Sequence, residues 1–408
     1  MQTSSAIDPY DIVIVGGGMV GAALACALTD SPLRIALVES RAPQPYRAEA
    51  LPDLRVSAIT QASQRIFAAL NVWPIIAARR ISPFREMEVW DAAGAGSIHF
   101  DSADIGAATL GWIIENQVIQ SALWESLQAQ ANVTVICPAL VQNVSFDAER
   151  ASLTLDNAQQ LSARLVVAAD GADSSLRALA GITTQGWSYD QQGVVATVTP
   201  QHPHRDCARQ RFLQDGPLAL LPLAENRCSI VWSTSLPHAE QLLALDDSAF
   251  CQALTVASGG VLGAMLATGP RAAFPLRLQH AHDYVRPRLA LIGDAAHCIH
   301  PLAGQGVNLG LQDAAALAEV LLDAAQVGRD IGGLKTLRRY ERWRKGDNLL
   351  MMGVMDGFKR LFGTEWSVVR LARNAGLTVT DNLQSVKNLI MRRAMGLEGD
   401  LPRLARRA

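Results

Sequence analysis

Apolar and polar positions alternate at two periods along this chain, and the switches between them mark its elements. Asp11 to Val15 (DIVIV) is a β-branched run suited to a buried strand, followed by GGGMVG and a helical stretch at Ala22–Leu28. Arg34 to Glu39 (RIALVE) reads as a second strand. Helical spacing covers Ser57 to Leu70 and Gln117 to Ala131, whereas residues 84–113 alternate with glycine turns as a small β excursion. Val133–Ile136 and Leu165–Ala169 predict short parallel strands. Between about 190 and 235 the runs GVVATVT, RQRFLQ, PLALLPL and CSIVWS, punctuated by Gly and Pro, predict an antiparallel sheet. Leu289–Ile292 feeds one more strand ending at Gly293–Asp294, a helix starts near Val307, and from Leu334 onward the pattern is helical and finally amphipathic.

Strand, glycine turn, helix, strand is the opening of a dinucleotide-binding domain. The predicted fold class is α/β: a Rossmann-like domain assembled from residues 9–83, 114–188 and 286–345, an inserted antiparallel β-sheet substrate domain from 84–113 and 189–285, and a C-terminal helical region at 346–408. No internal repeat or low-complexity segment interrupts this plan.

Gly16-Gly17-Gly18-Met19-Val20-Gly21 fits G-x-G-x-x-G. Gly16 permits the tight turn, Gly18 admits a pyrophosphate, and Gly21 lets the helix pack on the sheet. Glu39 closes the second strand and is placed to accept from ribose hydroxyls. In GDAAHCIHPLAGQGVNLGLQDAAAL, Gly293 to Leu317, a strand end, a carboxylate (Asp294), small residues and a helix N-terminus suit a phosphorylated ligand. VVAADGADSSLR, Val166 to Arg177, carries a further Asp-Gly pair, which a plain turn would also explain.

Taken in order, GxGxxG, VVAADGADSSLR and Gly293–Asp294 resemble the flavoprotein aromatic hydroxylases, with a para-hydroxybenzoate-hydroxylase-like fold, and HPLAGQGVNLGLQD looks most like their ubiquinone-biosynthesis subgroup. That resemblance, spanning about residues 10 to 400, implies FAD as cofactor. It puts Asp170 and Gly171 near the pyrophosphate, Asp294 after Gly293 on ribityl or ribose hydroxyls, and Arg55 of DLRVSAIT at the phosphate. Asn116 and Gln120 of IIENQVIQSAL would lie beside the flavin, although a helix-cap role explains Asn116 equally well. Pro301, Gly304, Gln305, Gly306 and Asn308 would form the loop against the isoalloxazine, with the Asn308 side chain on its polar edge. His297, Cys298 and His300 invite a metal reading, but no carboxylate-rich or CxxC partner set accompanies them, so no metal is expected.

Composition narrows the setting. Hydrophobic residues make up 49% and mean hydropathy is +0.13, yet no apolar run approaches the ~20 residues of a membrane span. Six cysteines without a CxxC pair fit a reducing cytoplasm, and the N-terminal stretch lacks the basic start of a signal peptide. Net charge is −2 but divided: 16 basic against 7 acidic side chains lie from Lys335 onward, leaving 20 against 31 before it. A solvated helical surface explains that basic end; so does peripheral contact with an anionic membrane or a partner of a ubiquinone-biosynthesis complex. Nucleic acid is not expected as a partner, and a homo-oligomer stays open.

By resemblance, the activity is hydroxylation of an aromatic ring through a flavin C4a-hydroperoxide, with O2 as co-substrate and NAD(P)H as the electron donor. The subgroup acts on polyprenylated phenol intermediates of ubiquinone, and the ending MGLEGDLP looks most like the branch acting at ring carbon 5. No catalytic acid or base is singled out. Phe212, Leu220, Leu221, Pro222 and Trp232 are candidates for the substrate wall, ordinary sheet core being the alternative for each. Two other readings stay open: an FAD-dependent hydroxylase of another aromatic substrate, and a non-catalytic FAD-holding scaffold subunit.

Overall fold

A computed structural model describes residues 9–94, 96–298, 306–362, 374, 376 and 379–406, with 354, 355 and 358–362 given by their backbone. The chain opens with β1 (Pro9–Val15), α1 (Met19–Ala27) and β2 (Ile35–Val38). Residues 57–70, expected to be helical throughout, divide into β3 (Val56–Thr60) and α2 (Gln61–Ala69). The break falls at Thr60, whose extended backbone and side-chain oxygen, accepting from Ser63 N, cap the helix. After α3 (Trp73–Ala77) come β4 (Ile81–Phe84), β5 (Glu86–Asp91), β6 (Ser97–Asp101) and β7 (Gly111–Glu115). Then follow α4 (Asn116–Leu127), β8 (Val133–Ile136), β9 (Val141–Phe146), β10 (Ala151–Leu155), β11 (Gln160–Ala168) and α5 (Ser175–Leu179).

The next block holds β12 (Thr184–Pro200), β13 (Cys207–Leu213), β14 (Gly216–Leu223), β15 (Arg227–Ser235), α6 (Leu236–Ala244), α7 (Asp247–Ala257) and β16 (Met265–Ala281). Short β17 (Val285–Arg286), β18 (Leu289–Leu291) and β19 (His297–Cys298) precede the helices α8 (Gly306–Gln326), α9 (Leu334–Phe362) and α10 (Gln384–Ala394).

Among the described residues three sheets result. The first runs β17-β18-β11-β1-β2-β8, with β10 and β9 appended to β11. Its members β18, β11, β1, β2 and β8 pair in parallel. Ile12, Val13, Ile14, Ile35, Ala36 and Leu37 are wholly enclosed, which is why these strands read as continuous apolar runs. The second runs β19-β16-β12-β15-β14-β13-β5-β6 and is antiparallel except where β5 meets β13. A small third sheet, β3-β7-β4, was not anticipated as a separate layer.

Helices α6 and α7 follow the β block read between about 190 and 235 and lie within the 189–285 segment expected to form the β-sheet domain. Ala239, Leu242, Phe250 and Leu254 press on one face of the second sheet against Leu218, Leu220, Ile230 and Trp232. Full burial of each large apolar side chain there contributes roughly 1.5–3 kcal/mol. One face of that sheet is thereby sealed, and only the other can line a site.

Candidate active site

Four neighbouring strands, β18, β11, β1 and β2, end side by side. Gly293–Asp294, Asp170–Gly171, the Gly16–Gly21 turn and Glu39 each follow one of those ends within two residues. Ligands of open α/β sheets bind outside the carboxyl ends of the strands.

In the glycine turn, Gly16 has φ +106°, and a Cβ there would stand 2.4 Å from Ala169 O. A Cβ at Gly21 would stand 1.9 Å from Gly16 O, so this glycine serves helix packing. Gly18 differs: a Cβ would meet nothing within 4 Å among the described residues, leaving an open cradle at the start of α1. The Gly17 peptide is fixed at both ends. Its N–H donates to Glu39 Oε2 at 2.6 Å, and its carbonyl accepts from Gln120 Nε2 at 3.0 Å and Trp124 Nε1 at 2.7 Å. Gln120, expected beside the flavin, therefore anchors the turn.

Asp170 Oδ2 accepts from Leu176 N at 3.1 Å and Ser175 Oγ at 3.3 Å, while its Oδ1 is buried without a partner among the described residues. Gly171, φ +85°, faces open space. Arg177 bridges the two Asp-bearing turns, donating to Ala172 O at 2.8 Å and Ala295 O at 2.9 Å. Asp294 opens to the cleft, yet the surrounding protein desolvates it and raises its carboxyl above the ordinary range; His297 and Arg55 oppose that rise. An open glycine cradle, an orphaned buried Asp170 oxygen and an exposed Asp294 at one sheet end fit a dinucleotide.

Arg55 is exposed, with its guanidinium 5.3 Å above the Phe274 ring of β16. Asn116 is the first residue of α4, not its cap; its N–H donates to Arg55 O at 2.9 Å and its Oδ1 accepts from Ser57 Oγ at 2.6 Å. Gly306 opens α8. Asn308 is buried, and its amide points away from the role expected of it. Its Oδ1 accepts from Ser63 Oγ, Thr60 N and Thr60 Oγ1, and its Nδ2 donates to Ala58 O at 2.8 Å, pinning the start of α8 to β3 and α2. Pro301, Gly304, Gln305 and His300 lie outside the described residues.

Beside this cleft lies a cavity of about 210 Å³ between β3, the open face of the second sheet and α10. Ala58, Phe84, Ala219, Leu221, Val231 and Met391 are among its walls. Of the five expected wall residues only Leu221 lines it. Leu220 and Trp232 belong to the sealed face under α6 and α7. Phe212 packs behind the wall on Val89 and Ile98, and Pro222 is buried elsewhere. Side chains alternate along a strand, so Leu220 and Leu221 fall on opposite faces and only Leu221, with Ala219 two residues before it, faces the cavity.

Sequence reading also passed over Trp124 and the fully buried Asp313. A carboxylate set among small apolar residues in LGLQDAAAL was the available signal for the latter.

A family model of an FAD binding domain matches residues 9–346. The 3-demethoxyubiquinol 3-hydroxylase of Escherichia coli (strain K12) is 38% identical over 391 residues, 95% of this chain and 99% of that protein. The mitochondrial ubiquinone biosynthesis monooxygenase COQ6 of Xenopus tropicalis is 37% identical over 432 residues, 94% of this chain and 92% of its own. Among solved structures, p-nitrophenol 4-monooxygenase PnpA from Pseudomonas putida DLL-E4 superposes with a TM-score of 0.77 at 17% identity, covering 95% and 99% of the two chains.

Proposed function

The chain belongs to the FAD-dependent ubiquinone-biosynthesis hydroxylases, a branch of the aromatic-ring flavoprotein monooxygenases, and on that premise we propose that it hydroxylates ring carbon 5 of a polyprenylated phenol. FAD is its cofactor, with NAD(P)H as reductant in this class. Bound FAD supplies the activation of O2 and the transfer of one oxygen atom to the ring.

The chain's own residues supply place and shelter. Gly18 and Gly171 offer approach to the pyrophosphate, Asp294 and Glu39 accept from hydroxyls, and Arg55 carries positive charge at the cleft. The cavity walls keep water from the reacting ring. Size favours a long substrate whose head alone is enclosed: a dry cavity of roughly 150 Å³ takes a benzene, so about 210 Å³ holds a substituted ring and little more. A prenyl tail must leave along α10, where Ile390, Met391, Ala394 and Met395 form one wall. Leu383, Val386, Leu389 and Ile390 are exposed on and just before that helix, a surface suited to a lipid or a partner subunit. No helix among the described residues is long and apolar enough to cross a membrane.

The observation that carries the reading is the apolar cavity set beside four convergent strand ends. Support for carbon 5 is the likeness of the segment Met395–Pro402 (MGLEGDLP) to the branch acting there; Met395 also lines the cavity. Bacterial strains each lacking one ring hydroxylase test it, with accumulated quinone intermediates identified by mass spectrometry. Rescue of the carbon-5 strain is expected. Rescue only of the strain lacking the 3-demethoxyubiquinol hydroxylase would move the reaction to another carbon, and rescue of none by an FAD-loaded protein would remove the quinone substrate.

A further inference from the structure

Helix α9 directs a row of polar side chains into the interior. Tyr340, Arg344 and Asn348, spaced four apart and hence on one face, are 0%, 1% and 0% exposed. Tyr340 OH donates to Leu291 O at 2.8 Å, two residues before Gly293. Arg344 Nε and Asn348 Nδ2 donate to Asp313 Oδ1 at 2.9 and 3.2 Å. The other oxygen, Asp313 Oδ2, accepts from Gly293 N at 3.1 Å and from His297 Nε2 at 2.5 Å. One buried carboxylate thus joins α9 on one side to both ends of the Gly293–Asp294 turn on the other.

Such an arrangement is a poor way to gain stability. Burying an ion pair costs about as much as it returns, and apolar side chains of similar volume would serve the core as well. Its geometry, in contrast, is specific. Gly293 sits at φ +59°, and a turn in that conformation depends on what holds its N–H. A Cβ at Gly310 would meet Val20 Cγ2 at 2.6 Å, so α8 is seated tightly on α1 and the turn between them has little room to shift.

We propose that Arg344 and Asn348, acting through Asp313, and Tyr340, acting through Leu291 O, are positioning residues for the cofactor: α9 fixes the turn that holds Asp294 toward FAD. The inference rests on Asp294 being part of the FAD site, as read above. Asp313→Asn places an NH2 group where only donors converge, so one side of the clamp must open. Arg344→Gln removes the charged one of the two α9 donors to the same carboxylate. Tyr340→Phe removes a single hydroxyl and is the variant best able to fold.

The experiment titrates apoprotein with FAD, following flavin fluorescence, and records the visible spectrum of bound flavin at saturation, with circular dichroism as the folding control. Asp313→Asn and Arg344→Gln should each weaken FAD binding on the order of tenfold, with Tyr340→Phe severalfold. The double variant should bind no more weakly than its worse parent, since both break one chain of contacts. A shifted flavin spectrum is expected in each, which a loss of general stability would not produce. Folded variants with the wild-type Kd and spectrum would overturn the proposal; if Asp313→Asn does not fold, Tyr340→Phe and Asn348→Ala decide by the same measures. Asp294→Ala separates the levels: wild-type binding there would overturn the site assignment beneath, whereas weakened binding beside unaffected α9 variants would overturn this inference alone.

Discussion

At the scale of single residues, the glycine turn permits a clean separation of folding from binding. Gly18→Ala adds a methyl group into open space, so apoprotein stability should stay within about 0.5 kcal/mol of wild type while FAD affinity falls steeply. Gly21→Ala drives a Cβ against Gly16 O and should destabilise the apoprotein by several kcal/mol, as overpacking does. Urea unfolding and FAD titration of the same two proteins check both expectations. Equal loss of binding and stability in Gly18→Ala would deny it a cradle role. The contrast also marks what sequence makes legible. Spacing alone assigns each glycine its place in G-x-G-x-x-G, because the backbone sets the constraint. Side-chain direction is a different matter: Asn308 and Gln120 stand where the motifs put them, but their amides turn to Thr60, Ser63 and Ala58 in one case and to Gly17 in the other. Nothing local marks Arg344 as the partner of Asp313, since the pairing exists only once α9 has docked on α8.

Strand β14 has two fates for its side chains: Pro217, Ala219 and Leu221 toward the cavity, Leu218 and Leu220 toward α6 and α7. Ala219→Trp should therefore abolish ring hydroxylation by filling the cavity while FAD binding persists. Leu220→Ala should cost about 2–5 kcal/mol of stability and leave the cavity walls in place. Product analysis and urea unfolding distinguish the pair, and the reverse pattern would mean that the faces are assigned wrongly. Parity was ambiguous in the sequence because both faces of β14 are apolar, which removes the in-out alternation that normally fixes a strand. Strands β1, β2 and β18 were legible for the opposite reason: enclosed on both sides, they need no parity. α6 and α7 are short helices between the end of the β-rich stretch at about 235 and β16, in a segment expected only to belong to the β-sheet domain. Yet Asp246, whose carboxylate accepts from Ala249 N at 2.8 Å, is the kind of cap that announces a helix.

For the molecule as a whole, acid should act in two stages. Burial, with Lys345 and His297 nearby, holds His280 down at about 4 against an ordinary 6.5. Between those values the unfolded chain takes up a proton that the native state refuses, so stability falls as pH drops from about 6.5 toward 4. Burial alone would raise the Asp313 carboxyl, but His297 and Arg344 outweigh it and hold it at about 2. Its contribution is present above the ordinary 3.8 and is lost as pH falls from there toward 2. Urea unfolding at pH 7.5 and 5 should show wild type losing about 1–2 kcal/mol more than His280→Gln. Identical pH profiles would show that His280 titrates normally. The sheet order has a further consequence, this one for synthesis on the ribosome. Strand β1 waits for β11, whose pairing begins with Pro9 opposite Ser162, and the cleft is complete only after β18 at Leu289–Leu291. At about 5–20 residues per second, the glycine turn is translated roughly 15–55 s before the aspartate that faces it. The nascent chain thus carries half a nucleotide site and an unpaired parallel strand edge for most of its own synthesis, making it a client for chaperones first and for flavin only afterwards.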